Sequence, residues 1–142
     1  MPRLTITRYA ESMARMNRLS RKQFQDIVIA TVNSLPEAAK KYLHNVVVDV
    51  EEEPDEETLR ELGFSDEEID EGATLYGLFA PMPGFSHDIN NPHRIIVYKR
   101  PLEEDFPDQD ELIEEIGKTV LHELHHHFGY TERDISTWTD LE

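Results

Sequence analysis

No cysteine occurs anywhere in the 142 residues. Disulfide staples and thiolate zinc ligands are thereby excluded, and any metal must be held by His, Asp or Glu. Positive charge is scarce: 14 Lys and Arg stand against 30 Asp and Glu, a formal net charge of −16. That balance argues against nucleic acid as a partner. Long apolar runs are missing too. No stretch approaches the ~20 residues of a membrane span, and the first residues lack the apolar core of a signal peptide. The expectation is a cytoplasmic protein that engages no membrane. What is present, 38% apolar and 31% charged residues, suits one soluble globular domain.

The charge is uneven. Arg3, Arg8, Arg15, Arg18, Arg21 and Lys22 face a single acid, Glu11, whereas residues 49–71 are dense in Asp and Glu with Arg60 the only base. Both read first as solvated surface. A basic arm docking on an acidic partner, or on this chain's own acidic segment, is the sharper alternative. The organisation expected is a basic N-terminal arm or helical extension over residues 1–19, then a domain over 20–142.

Within the domain, Phe24, Ile27, Val28 and Val32 recur at three- and four-residue steps, predicting an amphipathic helix. Ser20 is its N-cap and Gln23 completes a capping box. Pro36 opens a second short helix running through Leu43. The β-branched run over residues 46–50 predicts a buried strand. A short helix follows over 58–62, begun by Asp55 or Glu56 and stopped by Gly63. Ser65 and Glu68 form another capping-box signal, closed off by Gly72. Residues 75–79 and 94–99 predict two further strands, separated by a loop over 81–92 that carries His87 and Asp88. That loop reads as an ordinary surface connection, or as the wall of a substrate cleft.

The last long helix is expected to start near Asp108. Ile113, Ile116, Val120, Leu124 and Phe128 form its core-facing stripe. Residues 131–138 suggest a final short helix that packs Ile135 and Trp138. The fold class expected is α/β in the broad sense (α+β): a small, mixed, three-stranded sheet packed with helices.

The chemistry concentrates on that long helix. His122, Glu123 and His126 spell H-E-x-x-H. Positions i and i+4 of a helix lie about 40° apart around the axis and about 6 Å along it. Two imidazoles so placed can share one zinc ion, and the glutamate after the first is free to act as a base on water. A third ligand is still needed, and on an unbroken helix the residue ten positions after His122 would lie roughly 15 Å away. Gly129 can end the helix in a left-handed cap and let Glu132 swing back. His122, His126 and Glu132 then leave one position open for water, as catalytic rather than structural zinc sites do. On the helix wheel the two histidines lie roughly opposite the apolar stripe, in line with Glu115 and Thr119, so their face should line a cleft.

This stretch resembles the active-site helix of the zincin metallopeptidases, in particular the minimal zincin family of small bacterial metallopeptidase-like domains. Their signature is H-E-x-x-H-x-x-G-x-x-D, with His-Phe-Gly after the second histidine, as in His126-His127-Phe128-Gly129 here. The resemblance extends upstream through residues 94–103, 75–79 and 35–52. The chain departs from the signature at Glu132, where the family usually has Asp; Asp134 or a water is the alternative occupant. The resemblance implies a zinc-dependent peptidase. Glu123 would be its general base, and a peptide or protein substrate would lie along a sheet edge. The rival expectation is a zinc-binding regulatory or interaction module with little or no activity.

The remaining histidines read more blandly. His127 projects onto the apolar stripe as a partly buried structural residue, and His125 reads as a solvated neighbour. His87 and His93 read as loop or strand-edge residues, and His44 as ordinary surface. Tyr130, His125, Tyr98 and His87 are the candidate oxyanion donors.

Overall fold

The computed structural model describes residues 19–88 and 90–128. The basic arm, Gly129, Tyr130, Glu132, Asp134 and the expected terminal helix lie outside the described residues. In chain order the described elements are α1 (Arg21–Asn33), α2 (Glu37–Lys40) with a 3₁₀ turn after it (Lys41–Leu43), β1 (Val46–Glu51), α3 (Glu56–Glu61), α4 (Asp66–Asp70), β2 (Gly77–Pro81), β3 (His93–Tyr98), α5 (Lys99–Asp105) and α6 (Gln109–Phe128). This is the expected α+β class.

Local chemistry sets most boundaries. The Ser20 Oγ accepts the Gln23 N–H at 3.1 Å while the Gln23 Oε1 accepts the Ser20 N–H at 2.8 Å. Ser65 and Glu68 repeat the reciprocal pair at the head of α4. The Asp55 carboxylate caps α3 by accepting the Thr58 N–H, and its hydrogen bonding to Thr58 holds it below the usual carboxylate range. Gly63 and Gly72 follow α3 and α4 at φ +99° and +97°, a conformation glycine reaches without strain.

Helix α5 has no counterpart in the periodicity. It continues directly from β3, and Pro101 sits in its first turn, where a missing N–H breaks no helical bond. It carries one inward ion pair, Lys99 to Glu103 at 2.7 Å, with both side chains 7% exposed.

The strands form one sheet in the order β1-β3-β2, with β1 parallel and β2 antiparallel to β3. The central strand is buried on both faces, through Ile95, Val97, Ile96 and Tyr98. β1 corrects the expectation of a buried strand. Only Val50 is buried, and Val47 is 49% exposed. The reason is position: side chains alternate between faces in any strand, and at this edge of the sheet the face turned away from the main core is left partly open. On that outer face Arg94 reaches Glu51 at 3.3 Å and Asp49 at 3.8 Å.

Val46, Val48, Val50, Phe79, Ile95 and Val97 meet α1 and α6 in the main core. The stripe of α6 is also corrected. Leu112, Ile116, Val120, Leu121 and Leu124 are buried, whereas Ile113 is exposed. A helix wedged between α1 and the sheet needs a broader apolar arc than one stripe, and Ile113 falls on its rim.

Tyr98 gives this core a pH signature. Its phenol is pushed up to about 12, chiefly by burial, with Glu51 and Asp55 adding to the shift. The fold therefore favours the neutral phenol. Its contribution is complete below the ordinary value near 10 and is lost as pH rises through about 12. Urea unfolding is expected to show a loss on the order of 2 kcal/mol over that window. Tyr98→Phe should flatten the part due to this residue; an unchanged pH dependence would reject the assignment.

Candidate active site

Helix α6 begins with Asp108, whose carboxylate accepts the Glu111 N–H at 3.1 Å, and Asp110 and Glu111 complement the positive end of its dipole. Three of its side chains at successive i, i+4 positions then run along β2. Thr119 packs on Gly77: a Cβ on that glycine would stand 2.5 Å from the Thr119 Cγ2, 3.2 Å from the Ile96 carbonyl oxygen and 3.8 Å from the Glu123 Cγ. The Thr119 hydroxyl donates to the Glu115 carbonyl at 2.7 Å, which fixes the methyl in place. One turn on, the Glu123 carboxyl comes close enough to the Phe79 backbone N–H for that group to lower its pKa. One turn further, the His127 ring stacks on Phe79, centroids 3.5 Å apart and planes 24° apart.

The Phe79 N–H points away from the sheet. The Tyr98 N–H donates to the Tyr76 carbonyl and the Met82 N–H to the Pro92 carbonyl, bracketing the β2–β3 ladder. Antiparallel alternation then turns the backbone of Leu78 and Ala80 toward β3 and that of Gly77, Phe79 and Pro81 outward. Glu123 thus meets β2 on its free edge.

Burial raises the Glu123 carboxyl above the usual range, and His126 and the Phe79 N–H pull it partly back. A raised carboxyl in a cleft holds and releases a proton nearer neutrality. His122 and His126 flank it, both exposed. The expected polar face is therefore open at both histidines. Thr119, expected on the same open line, is instead 9% exposed against Gly77. The helix lies so close to β2 that its polar row is partly covered. His125 is partly buried, its ring 5.9 Å from that of His126.

Two other histidines need correction. His93 is buried, at 4% exposure, because the first residue of a central strand is already covered. Its Nδ1 lies 2.7 Å from the Asn91 carbonyl, an acceptor, so that nitrogen carries the proton. His127 is exposed rather than partly buried, although Phe79 covers one ring face. Its pKa is lowered first by the desolvation of that covered face and then by His93, His126 and His87.

Two exposed imidazoles one helical turn apart, with a half-buried carboxylate between them, suit a nitrogen- and oxygen-ligated zinc ion, and neither ring is committed to the core. The third ligand proposed from sequence, Glu132, and the turn at Gly129 lie outside the described residues. Among the described residues no three candidate ligands come together. Pattern reading passed over Gly77 and Phe79. The signal for Gly77 was available, since an isolated glycine inside a strand often marks the close approach of another element. Nothing local marked the outward N–H of Phe79.

Among the described residues, no helix is long and apolar enough to cross a membrane. Comparison with curated proteins gave no match. A family defined as zincin-like metallopeptidases matches residues 43–140. That span takes in all three strands and the whole of α6, and on this evidence the chain belongs to the zincin-like metallopeptidase family.

Proposed function

We propose that the protein is a zinc-dependent peptidase in which Glu123 is the general base. The observation that carries this reading is the position of Glu123. It lies half-buried beside two exposed imidazoles, with its carboxyl near the outward N–H of an edge strand. A structural metal site needs no such carboxylate beside its ligands. His122, His126 and Glu132 would hold one zinc ion, which supplies a Lewis acid and lowers the pKa of water to about 7.

The chain's own residues do the rest. Glu123 takes a proton from the attacking water and delivers it to the leaving amine. The Phe79 N–H favours the charged carboxylate, the form that accepts the proton. The outward carbonyls of Gly77, Phe79 and Pro81 offer an extended peptide an edge to pair with.

Metal analysis and cleavage test the reading together. The wild-type protein is expected to carry about one zinc per chain and His122→Ala to lose it. A diverse peptide library should be cleaved by the zinc-loaded protein, spared after chelation and cleaved again on zinc return. Stoichiometric zinc with no cleavage of any peptide would replace the peptidase with a metal-binding module. Zinc content unchanged in His122→Ala would reject the ligand assignment.

A further inference from the structure

We infer that the cavity at the end of the sheet beside α6 is a specificity pocket for an acidic side chain, Asp or Glu, of the peptide substrate. The inference rests on the peptidase reading and adds the substrate class to it. The cavity has a volume of about 400 Å³. It lies where β1 and β3 begin, with the C-terminal end of α6 and the loop before β3 contributing to its walls.

Its composition is unlike that of the rest of the molecule. Lys41, His44, His87, His93 and His127 line it, and among the described residues no Asp or Glu does, in a chain with 30 acids. Four of the seven histidines meet here from four different segments. Asp88, beside His87, turns back on its own loop and accepts the Asn90 N–H at 2.9 Å. Tyr42, Phe79 and Phe128 add an aromatic wall suited to the methylene stem of an acidic residue. The Lys41 ammonium lies 5.1 Å from the Tyr42 ring centre, so the charge stands at this wall. The Lys41 ammonium and the imidazoles of His44, His87 and His127, with no competing carboxylate among the described residues, make a site for a carboxylate ligand.

The cavity connects to the chemistry through shared residues. Phe79 presents its N–H to Glu123 and its ring to the cavity. His127, which lines the cavity, directly follows His126. A peptide paired along β2 beside Phe79 therefore passes the mouth of the cavity as it passes Glu123.

The test uses the full-length, zinc-loaded Glu123→Gln protein and a peptide panel of one parent sequence carrying Glu or Gln at each position in turn. Binding is read by fluorescence anisotropy. One position is expected to prefer Glu over Gln by about tenfold. The double variant Lys41→Glu/His44→Glu, at two exposed positions, is expected to reverse that preference, with circular dichroism reporting an intact fold. A panel without positional preference overturns the inference. So does a preference that survives the charge swap, because the acid is then read elsewhere. Turnover of the same panel by wild type separates the two readings. Acid-dependent binding without turnover ends the peptidase reading and keeps the pocket; turnover without acid preference ends the pocket alone.

Discussion

Glu123→Gln is expected to bind zinc as the wild type does and to hydrolyse peptides about 10³-fold more slowly. The amide matches the carboxylate in size, and its oxygen can still face the Phe79 N–H. What it cannot do is take a proton from water. His122 and His126 are untouched, so metal content should not change. The check is kcat/KM for a cleaved library peptide, with zinc analysis on the same samples. Equal turnover by both proteins would mean that another base, or a contaminant, does the work. Loss of zinc along with activity would move Glu123 from base to ligand.

Gly77→Ala is expected to destabilise the fold by about 3 kcal/mol, the upper end for overpacking. The added methyl would meet the Thr119 Cγ2 at 2.5 Å and the Ile96 carbonyl oxygen at 3.2 Å. Neither can yield cheaply. The threonine is held by its bond to the Glu115 carbonyl, and the carbonyl belongs to the central strand. The midpoint of thermal unfolding should fall by about 8–12 °C. Thr119→Ala in the same chain should recover part of the loss, because it removes the nearer of the two obstacles, and the double-mutant cycle measures how much. Full stability of Gly77→Ala would show that β2 and α6 can separate freely. Because the same contact brings α6 against β2 beside Glu123, activity should fall more than the folded fraction does.

The parts of the fold that were legible in the sequence are those whose causes are local. Ser20 with Gln23 and Ser65 with Glu68 act within one turn, and each box forms where its spacing places it; of the two starts left open for α3, Asp55 is the one that caps, accepting the Thr58 N–H. Gly63 and Gly72 stop their helices for reasons internal to the glycine backbone. The strands were legible as strands but not in their surroundings. Val47 looked like core because nothing in a β-branched run says whether the strand will be an edge. His93 looked peripheral because nothing in it says that β3 will be central. Helix α5 escaped because, of its two buried apolar residues, Pro101 and Leu102, one is a helix-breaker elsewhere.

The sequence by itself determined which residues are the candidates for the chemistry. Helical periodicity is a property of the backbone, so the spacing of His122, Glu123 and His126 puts two imidazoles one turn apart before any tertiary contact forms. The absence of cysteine restricts the donor atoms in the same unconditional way. Only the tertiary structure decided what the carboxylate faces and what lies next to it. The approach of α6 to β2 depends on a glycine more than forty positions away. The cavity, lined by no acid among the described residues, joins side chains from the turn after α2, the loop before β3, β3 itself and the end of α6. Such meetings are set by how helices and sheet bury their apolar faces together, which no local run of residues encodes.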